Sequence, residues 1–242
     1  MKFHNIIAAG CSFTADGIGG LPPSIDNEGC NSFIDYDDFP AATPYSWASH
    51  IARDLAVRSF VNLAGGGHGN IMLANSVTEI INQNEYDLDH TLVIFNLTEP
   101  ERLDIMCAWD HHERSGMVPW DKNIISHSYI GPLKPTYHNF RKNMGLEQVR
   151  MQTARVVDMF FSWLENNKIQ FVFTMMNNYI ADDQMAKIIL PRLDRLVQCE
   201  NYTNMYEYVC NRNLNREDNL HPDREGHRRI ADFVLERISL LS

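Results

Sequence analysis

The chain has no apolar run approaching the roughly 20 residues that a membrane-crossing helix needs, and it has no internal repeat or low-complexity segment. A membrane partner and a repeat architecture are therefore not expected. Cysteine is sparse and poorly spaced for chemistry. The five present, Cys11, Cys30, Cys107, Cys199 and Cys210, are odd in number, far apart, and form no CxxC pair. Neither a disulfide framework nor a zinc site is signalled, so reduced thiols in a cytosol-like compartment are the simplest expectation. Basic residues are outnumbered, 21 against 31 acidic, for a formal net charge of -10, and they form no run. Phosphate backbones are held by clustered Lys and Arg, so no nucleic-acid partner is expected, and an anionic membrane surface is disfavoured on the same ground. A neutral or cationic substrate stays open.

What is present reads as an ordinary globular protein: 44% hydrophobic and 21% charged residues in 242. That length fits one α/β domain over 1–242. The N-terminal apolar stretch ends at Cys11, as a lipoprotein signal would, but it is short and His4 and Asn5 interrupt it. It reads instead as a buried first strand, which implies a cytoplasmic protein made without Sec-type export. Short apolar runs alternate with amphipathic stretches, the pattern of a mainly parallel sheet covered by helices. Expected strands are Asn5–Gly10, Arg58–Ala64, Thr91–Leu97 and Ile169–Met175, with a weaker fifth near Met205–Cys210. Expected helices are Tyr45–Ala56, Asn70–Gln83, Phe140–Asn166, Asp182–Val197 and Arg224–Leu241, with Pro44 suited to a helix start. Two segments, 15–43 and 98–138, exceed a minimal α/β unit. Each follows the carboxyl end of a strand, where open sheets place their sites, and they are expected to shape the substrate pocket.

Three signals carry chemistry. Ala8-Ala9-Gly10-Cys11-Ser12-Phe13-Thr14 is a strand ending in a small-residue turn that delivers a serine. A nucleophile needs such exposure, with backbone N–H groups nearby for a developing oxyanion; taken alone, the segment is more simply a structural turn. Asp218-Asn219-Leu220-His221-Pro222 precedes the last expected helix, and an aspartate three residues before a histidine can bend back to fix its tautomer. By itself this is more simply a helix cap region with an exposed histidine. Asn62-Leu63-Ala64-Gly65-Gly66-Gly67-His68-Gly69-Asn70 joins a strand to a helix, and its glycine N–H groups could face an anion. A phosphate loop is disfavoured because GxxxxGK[ST] and any nearby lysine are missing.

In this order the three blocks resemble the SGNH hydrolase superfamily, the GDSL esterases and lipases, and the resemblance runs from the first strand to the last helix. Gly10-Cys11-Ser12-Phe13 stands in the place of the Gly-Asp-Ser-Leu block, Gly67 matches the second-block glycine, and Asp218-x-x-His221 matches the last block. The resemblance implies a three-layer α/β/α sandwich of about five strands and a serine esterase working without metal or cofactor. The catalytic residues would be Ser12, Asp218 and His221. Two departures stand out. Cys11 replaces an acidic residue, and the third block, normally Gly-x-Asn-Asp, reads Asn96-Leu97-Thr98-Glu99-Pro100-Glu101-Arg102, with Pro100 near the family asparagine. The oxyanion donors expected are the backbone N–H groups of Ser12 and Gly67, with Asn96 as the nearest asparagine and Asn70 as a loop substitute. First blocks of the GCSF type also look similar to bacteriophage-encoded proteins, and a phage-encoded chain would have a virion or glycan-processing role.

The remaining candidates have plain alternatives. Trp109 and Trp120 could stack on a sugar ring or pin their loop. His4, His50, His90 and His227 read as structural, Glu99 and Arg102 as a surface or loop-anchoring pair, and His111-His112-Glu113 lacks metal-ligand spacing. The expected reaction is hydrolysis of an acyl ester, such as acetyl on a carbohydrate, through acyl-Ser12. Acyl transfer by the same triad and a catalytically weak binding module are the rivals.

Overall fold

Uncharged runs of Ile, Val, Phe and Leu can hide both faces of a strand from water, and here they build the centre of the protein. The computed structural model describes residues 2–11, 13–14, 33–34, 46–64, 68–83, 86–102, 104–106, 124–125, 145–215 and 221–241. The main sheet comprises β1 (Asn5–Ala9), β2 (Phe33–Ile34), β3 (Ser59–Asn62), β4 (Thr91–Leu97) and β7 (Gln170–Met175), in the order β2-β3-β1-β4-β7. All but β2 run parallel, with Ile7 level with Val61 on one side and Val93 on the other, and Phe95 level with Phe173. A separate antiparallel pair joins β5 (Ile105–Met106) to β6 (Ile124–Ile125).

Side chains alternate across the sheet and feed two cores. Ile7, Val61, Val93, Phe95, Phe171 and Phe173 pack under α2 (Asn70–Gln83), α3 (Leu146–Asn166) and α4 (Asp183–Ile189). Ile6, Ala8, Phe60, Leu92, Ile94 and Val172 pack under α1 (Trp47–Asp54), α5 (Met205–Asn211) and α6 (Arg224–Ser239). The architecture is thus the expected helix–sheet–helix sandwich, with four parallel strands and a short antiparallel edge.

Two expectations are corrected. Met205–Cys210 forms α5 instead of a strand: Asn204 caps it by accepting from the Glu207 N–H at 2.9 Å, and Met205, Tyr208 and Val209 are buried at helical spacing. The helix expected over Asp182–Val197 ends at Ile189 and gives way to a single 3₁₀ turn, Leu190–Arg192, because Pro191 cannot continue it. Leu196 then makes a parallel bridge to Phe173 at the sheet edge.

The chain leaves β1 for β3 on one side and returns to β4 on the other. The crevice between the carboxyl ends of β1 and β4 is therefore the topological switch point, where sheets of this kind bind ligands. Among the described residues no helix is long and apolar enough to cross a membrane.

Candidate active site

The turn after β1 is built tightly. Thr14 N–H donates to the Cys11 carbonyl at 2.8 Å, closing it. The Trp47 indole donates to the Phe13 carbonyl at 2.8 Å, and the Asn62 amide to the Thr14 carbonyl at 3.0 Å. Gly10 is needed for space: a Cβ there would collide with Thr14 Oγ1 and meet Asn96 Cβ at 2.8 Å. Cys11 is fully buried, its thiol 3.4 Å from Met176 Sδ and its pKa raised by that burial.

The second block meets the segment that follows β4. Asn70 and Thr98 exchange two bonds, the Asn70 amide to the Thr98 carbonyl and the Thr98 N–H to Asn70 Oδ1, both 2.8 Å. The buried Asp104 carboxylate accepts from Gly69 N–H at 3.1 Å and Met72 N–H at 2.8 Å. It therefore supplies from a distance the acceptor that the first turn of α2 lacks. Arg102 donates through Nη1 to the His68 carbonyl at 3.2 Å and through Nε to Glu99 Oε2 at 3.0 Å, so this pair does anchor a loop, although the Arg102 side chain is only 13% exposed. His68 is buried between these contacts, and that burial pushes its pKa down to about 4, leaving a neutral ring.

The C-terminal block arrives from the other end of the chain. An isolated bridge between Asn215 and Pro222 and the Asp223 cap on α6, accepting from Gly226 N–H at 2.7 Å, hold His221 at the helix entry. There the His221 ring lies on Phe13, with centroids 5.4 Å apart and planes tilted by 42°. The residue beside Ser12 and the candidate base are thus in contact across the switch-point crevice.

Ser12, Gly67, Asp218, Trp109, Trp120 and the 111–113 cluster lie outside the described residues. Asn96 is fully buried in β4, its amide donating to Thr174 Oγ1 at 2.7 Å and lying 3.5 Å from Met205 Sδ, so it braces β4 against β7 and α5. Asn70, with both ends of its amide bonded to Thr98, likewise serves as a brace. His227 is structural, as expected: its Nδ1 accepts from Trp47 N–H at 3.2 Å. His4 and His90 stack at 4.5 Å, with Asp87 2.7 Å from His90 Nδ1, at the amino ends of β1 and β4. Their planes are within 10° of parallel, and an imidazole ligates in its own plane, so the two rings as placed do not converge on one ion. Sequence reading missed Asp104 altogether; the clue available was a helix opening on Gly69-Asn70-Ile71 with no acidic residue in its first turn.

No protein-family model matches this chain, and no curated protein sequence does. Among solved structures, a catalytic serine-to-alanine variant of an acetylxylan esterase from Geobacillus stearothermophilus is similar at TM-score 0.52 and 12% identity, over 98% of this chain and 96% of that one. Another variant of that enzyme gives TM-score 0.51 and 13% identity over 99% and 98%. A lipolytic G-D-S-L family protein from Veillonella parvula matches at TM-score 0.43 and 12% identity over 96% of both chains. The chain shares the fold of that acetylxylan esterase, a helix–sheet–helix sandwich.

Proposed function

We propose that the chain is a serine esterase that removes an acyl group, acetyl being the leading candidate, from a hydroxyl of a carbohydrate. The observation that carries this reading is the contact of His221 with Phe13 at the switch point, which sets a histidine beside the serine-bearing turn. The acetylxylan esterase of like fold, in which serine and histidine variants are described as catalytic mutants, supports it.

In this reading His221 takes the Ser12 hydroxyl proton as Oγ attacks the acyl carbon, while Asp218 orients the imidazole. The oxyanion receives the backbone N–H groups of Ser12 and Gly67. The tetrahedral species collapses as His221 returns the proton to the departing alcohol, and water, deprotonated by His221, then releases the acid from acyl-Ser12. Trp109 and Trp120 are the candidates to stack on the sugar.

Hydrolysis of p-nitrophenyl acetate and butyrate by wild type, Ser12→Ala and His221→Ala tests the reading. Activity is expected in the wild type and near-background rates in both variants; a wild type no faster than Ser12→Ala overturns it. Adding an alcohol acceptor and analysing products separates hydrolysis from acyl transfer.

A further inference from the structure

Between the carboxyl ends of β4 and β7, one strand over from the crevice, lies a cavity of about 410 Å³. That volume falls within the roughly 300–1,000 Å³ usual for small-ligand sites. One wall is the segment after β4, Glu99-Pro100-Glu101, and the other is the segment after β7, from Asn177 to Asp182. Both walls are held in place. From α3, Thr153 Oγ1 donates to the Pro100 carbonyl at 2.8 Å and Arg150 Nε to Glu101 Oε1 at 2.9 Å. Asp182 caps α4, accepting from Gln184 N–H at 2.9 Å and Met185 N–H at 3.1 Å. The Glu99 carboxylate bonds Arg102, which bonds the His68 carbonyl, so the cavity shares a wall with the second-block loop.

The lining selects among ligands by its chemistry. Among the described residues each carboxylate of the cavity faces a guanidinium: Glu99 meets Arg102, Glu101 meets Arg150, and Asp182 Oδ2 lies 3.8 Å from Arg150 Nε. An anion would be repelled by three carboxylates, and a cation would compete with arginines already in place. An acyl chain would need apolar walls, whereas these are mainly carboxylate, amide and guanidinium. A neutral molecule rich in hydroxyl groups fits, because one hydroxyl can donate to a carboxylate and accept from an amide or guanidinium.

Further polar groups stand free for it. The side-chain amides of Asn177 and Asn178 make no hydrogen bond among the described residues, and Asn178 provides no side-chain cap for the 3₁₀ turn that follows it, Tyr179–Ala181. The Tyr179 hydroxyl is also incompletely bonded. Its ring is 6% exposed, the Asn177 backbone N–H faces its oxygen, and its O–H proton has no acceptor among the described residues. It lies within electrostatic reach of Glu99 and Arg102, so it belongs to the shared wall. A buried donor is rarely left in that state.

We propose that this cavity is a carbohydrate subsite, holding a neutral sugar unit of the same chain as the unit whose ester is cleaved in the crevice. The proposal rests on the esterase reading and deepens it: the substrate is an acylated oligosaccharide or polysaccharide, and Asn177 and Asn178 help to select it over a small ester.

Isothermal titration calorimetry of the wild type with ester-free xylo-, cello-, manno- and chitotetraose reads binding without turnover. At least one of these neutral chains is expected to bind, and to bind about tenfold more weakly to Asn177→Ala/Asn178→Ala, the scale of one or two lost hydrogen bonds. For the acetylated form of that chain, the ratio of its kcat/KM to that of p-nitrophenyl acetate should fall about tenfold in the same variant, because the small ester does not span both sites. Should the double variant fail to fold, the two single variants make the same decision. Absence of binding by all four chains overturns the proposal, as does binding that the variants leave unchanged. Tighter binding of tetragalacturonate, an anionic chain, than of any neutral one overturns it too. A wild type no faster than Ser12→Ala on p-nitrophenyl acetate overturns the esterase reading instead, and the cavity's place in the substrate path with it.

Discussion

Gly10 and Asp104 are the residues on which the crevice depends most directly. At Gly10 the obstacle to any side chain is partly the Thr14 hydroxyl but also Asn96 Cβ, which is fixed near the carboxyl end of β4. Thr14→Ala would relieve only the first contact. Gly10→Ala should therefore lower stability by about 1–3 kcal/mol, as overpacking does, and displace the serine turn. A drop in the urea midpoint together with lost esterase activity is the expected result; an unchanged midpoint would show that β1 and β4 can move apart. Asp104 differs in kind, because it acts by accepting. Asp104→Asn turns an amide N–H₂ towards Gly69 or Met72 N–H and removes the negative charge at the start of α2. A cost of about 1–3 kcal/mol follows from the unsatisfied donor, measurable by the same denaturation, with activity reduced because the glycine loop loses its anchor.

Elements differ in how plainly the sequence announces them. β4, Thr91–Leu97, and α2, Asn70–Gln83, are found with their expected bounds, since seven uncharged residues in a row and a clean 3.6-residue period leave little choice. Met205–Cys210 misleads because a short apolar run satisfies strand and helix alike; Asn204 three places before Glu207 was the deciding signal, a cap that no strand needs. Of the site, the order of the three blocks was readable, as was the pairing of Glu99 with Arg102. Asp104 reaching the start of α2 and Arg102 reaching His68 were not, because contacts across 30 or more residues leave no local pattern. The second-block loop also carries a pH dependence. His68 has a folded pKa of about 4 against an ordinary 6.5, so the folded state disfavours its protonation. Its contribution to stability is complete above pH 6.5 and is lost as pH falls towards 4, amounting to about 3 kcal/mol at 1.36 kcal/mol per pKa unit. His68→Asn should flatten the fall in unfolding free energy over that window; an unchanged slope would assign the acid sensitivity elsewhere. His50, whose pKa burial also lowers, should account for part of the slope that remains.

At the scale of the molecule, the nucleophile turn and the candidate base come from opposite ends of the chain and meet only because α6 docks on the second core. Ile230, Val234 and Ile238 are buried there. Among the described residues, polar contacts that tie α6 to α1 include His227 Nδ1 accepting from Trp47 N–H and Arg228 paired with Asp54 at 2.6 Å. The same Trp47 holds the Phe13 carbonyl, so α1 links the helix that carries His221 to the turn that carries Ser12. His227→Ala removes the acceptor at this junction and leaves a buried N–H unpaired, a cost of about 1–3 kcal/mol. Esterase activity and helical circular dichroism should then be lost at one urea midpoint in the wild type and together at a lower one in His227→Ala, because the His221–Phe13 contact exists only while α6 is seated. His227→Gln, which can offer an acceptor again, should recover part of the midpoint. Activity lost well before the helical signal in His227→Ala would instead mean that the entry to α6 can detach while the two cores stay intact, and that the crevice is assembled separately from the sandwich beneath it.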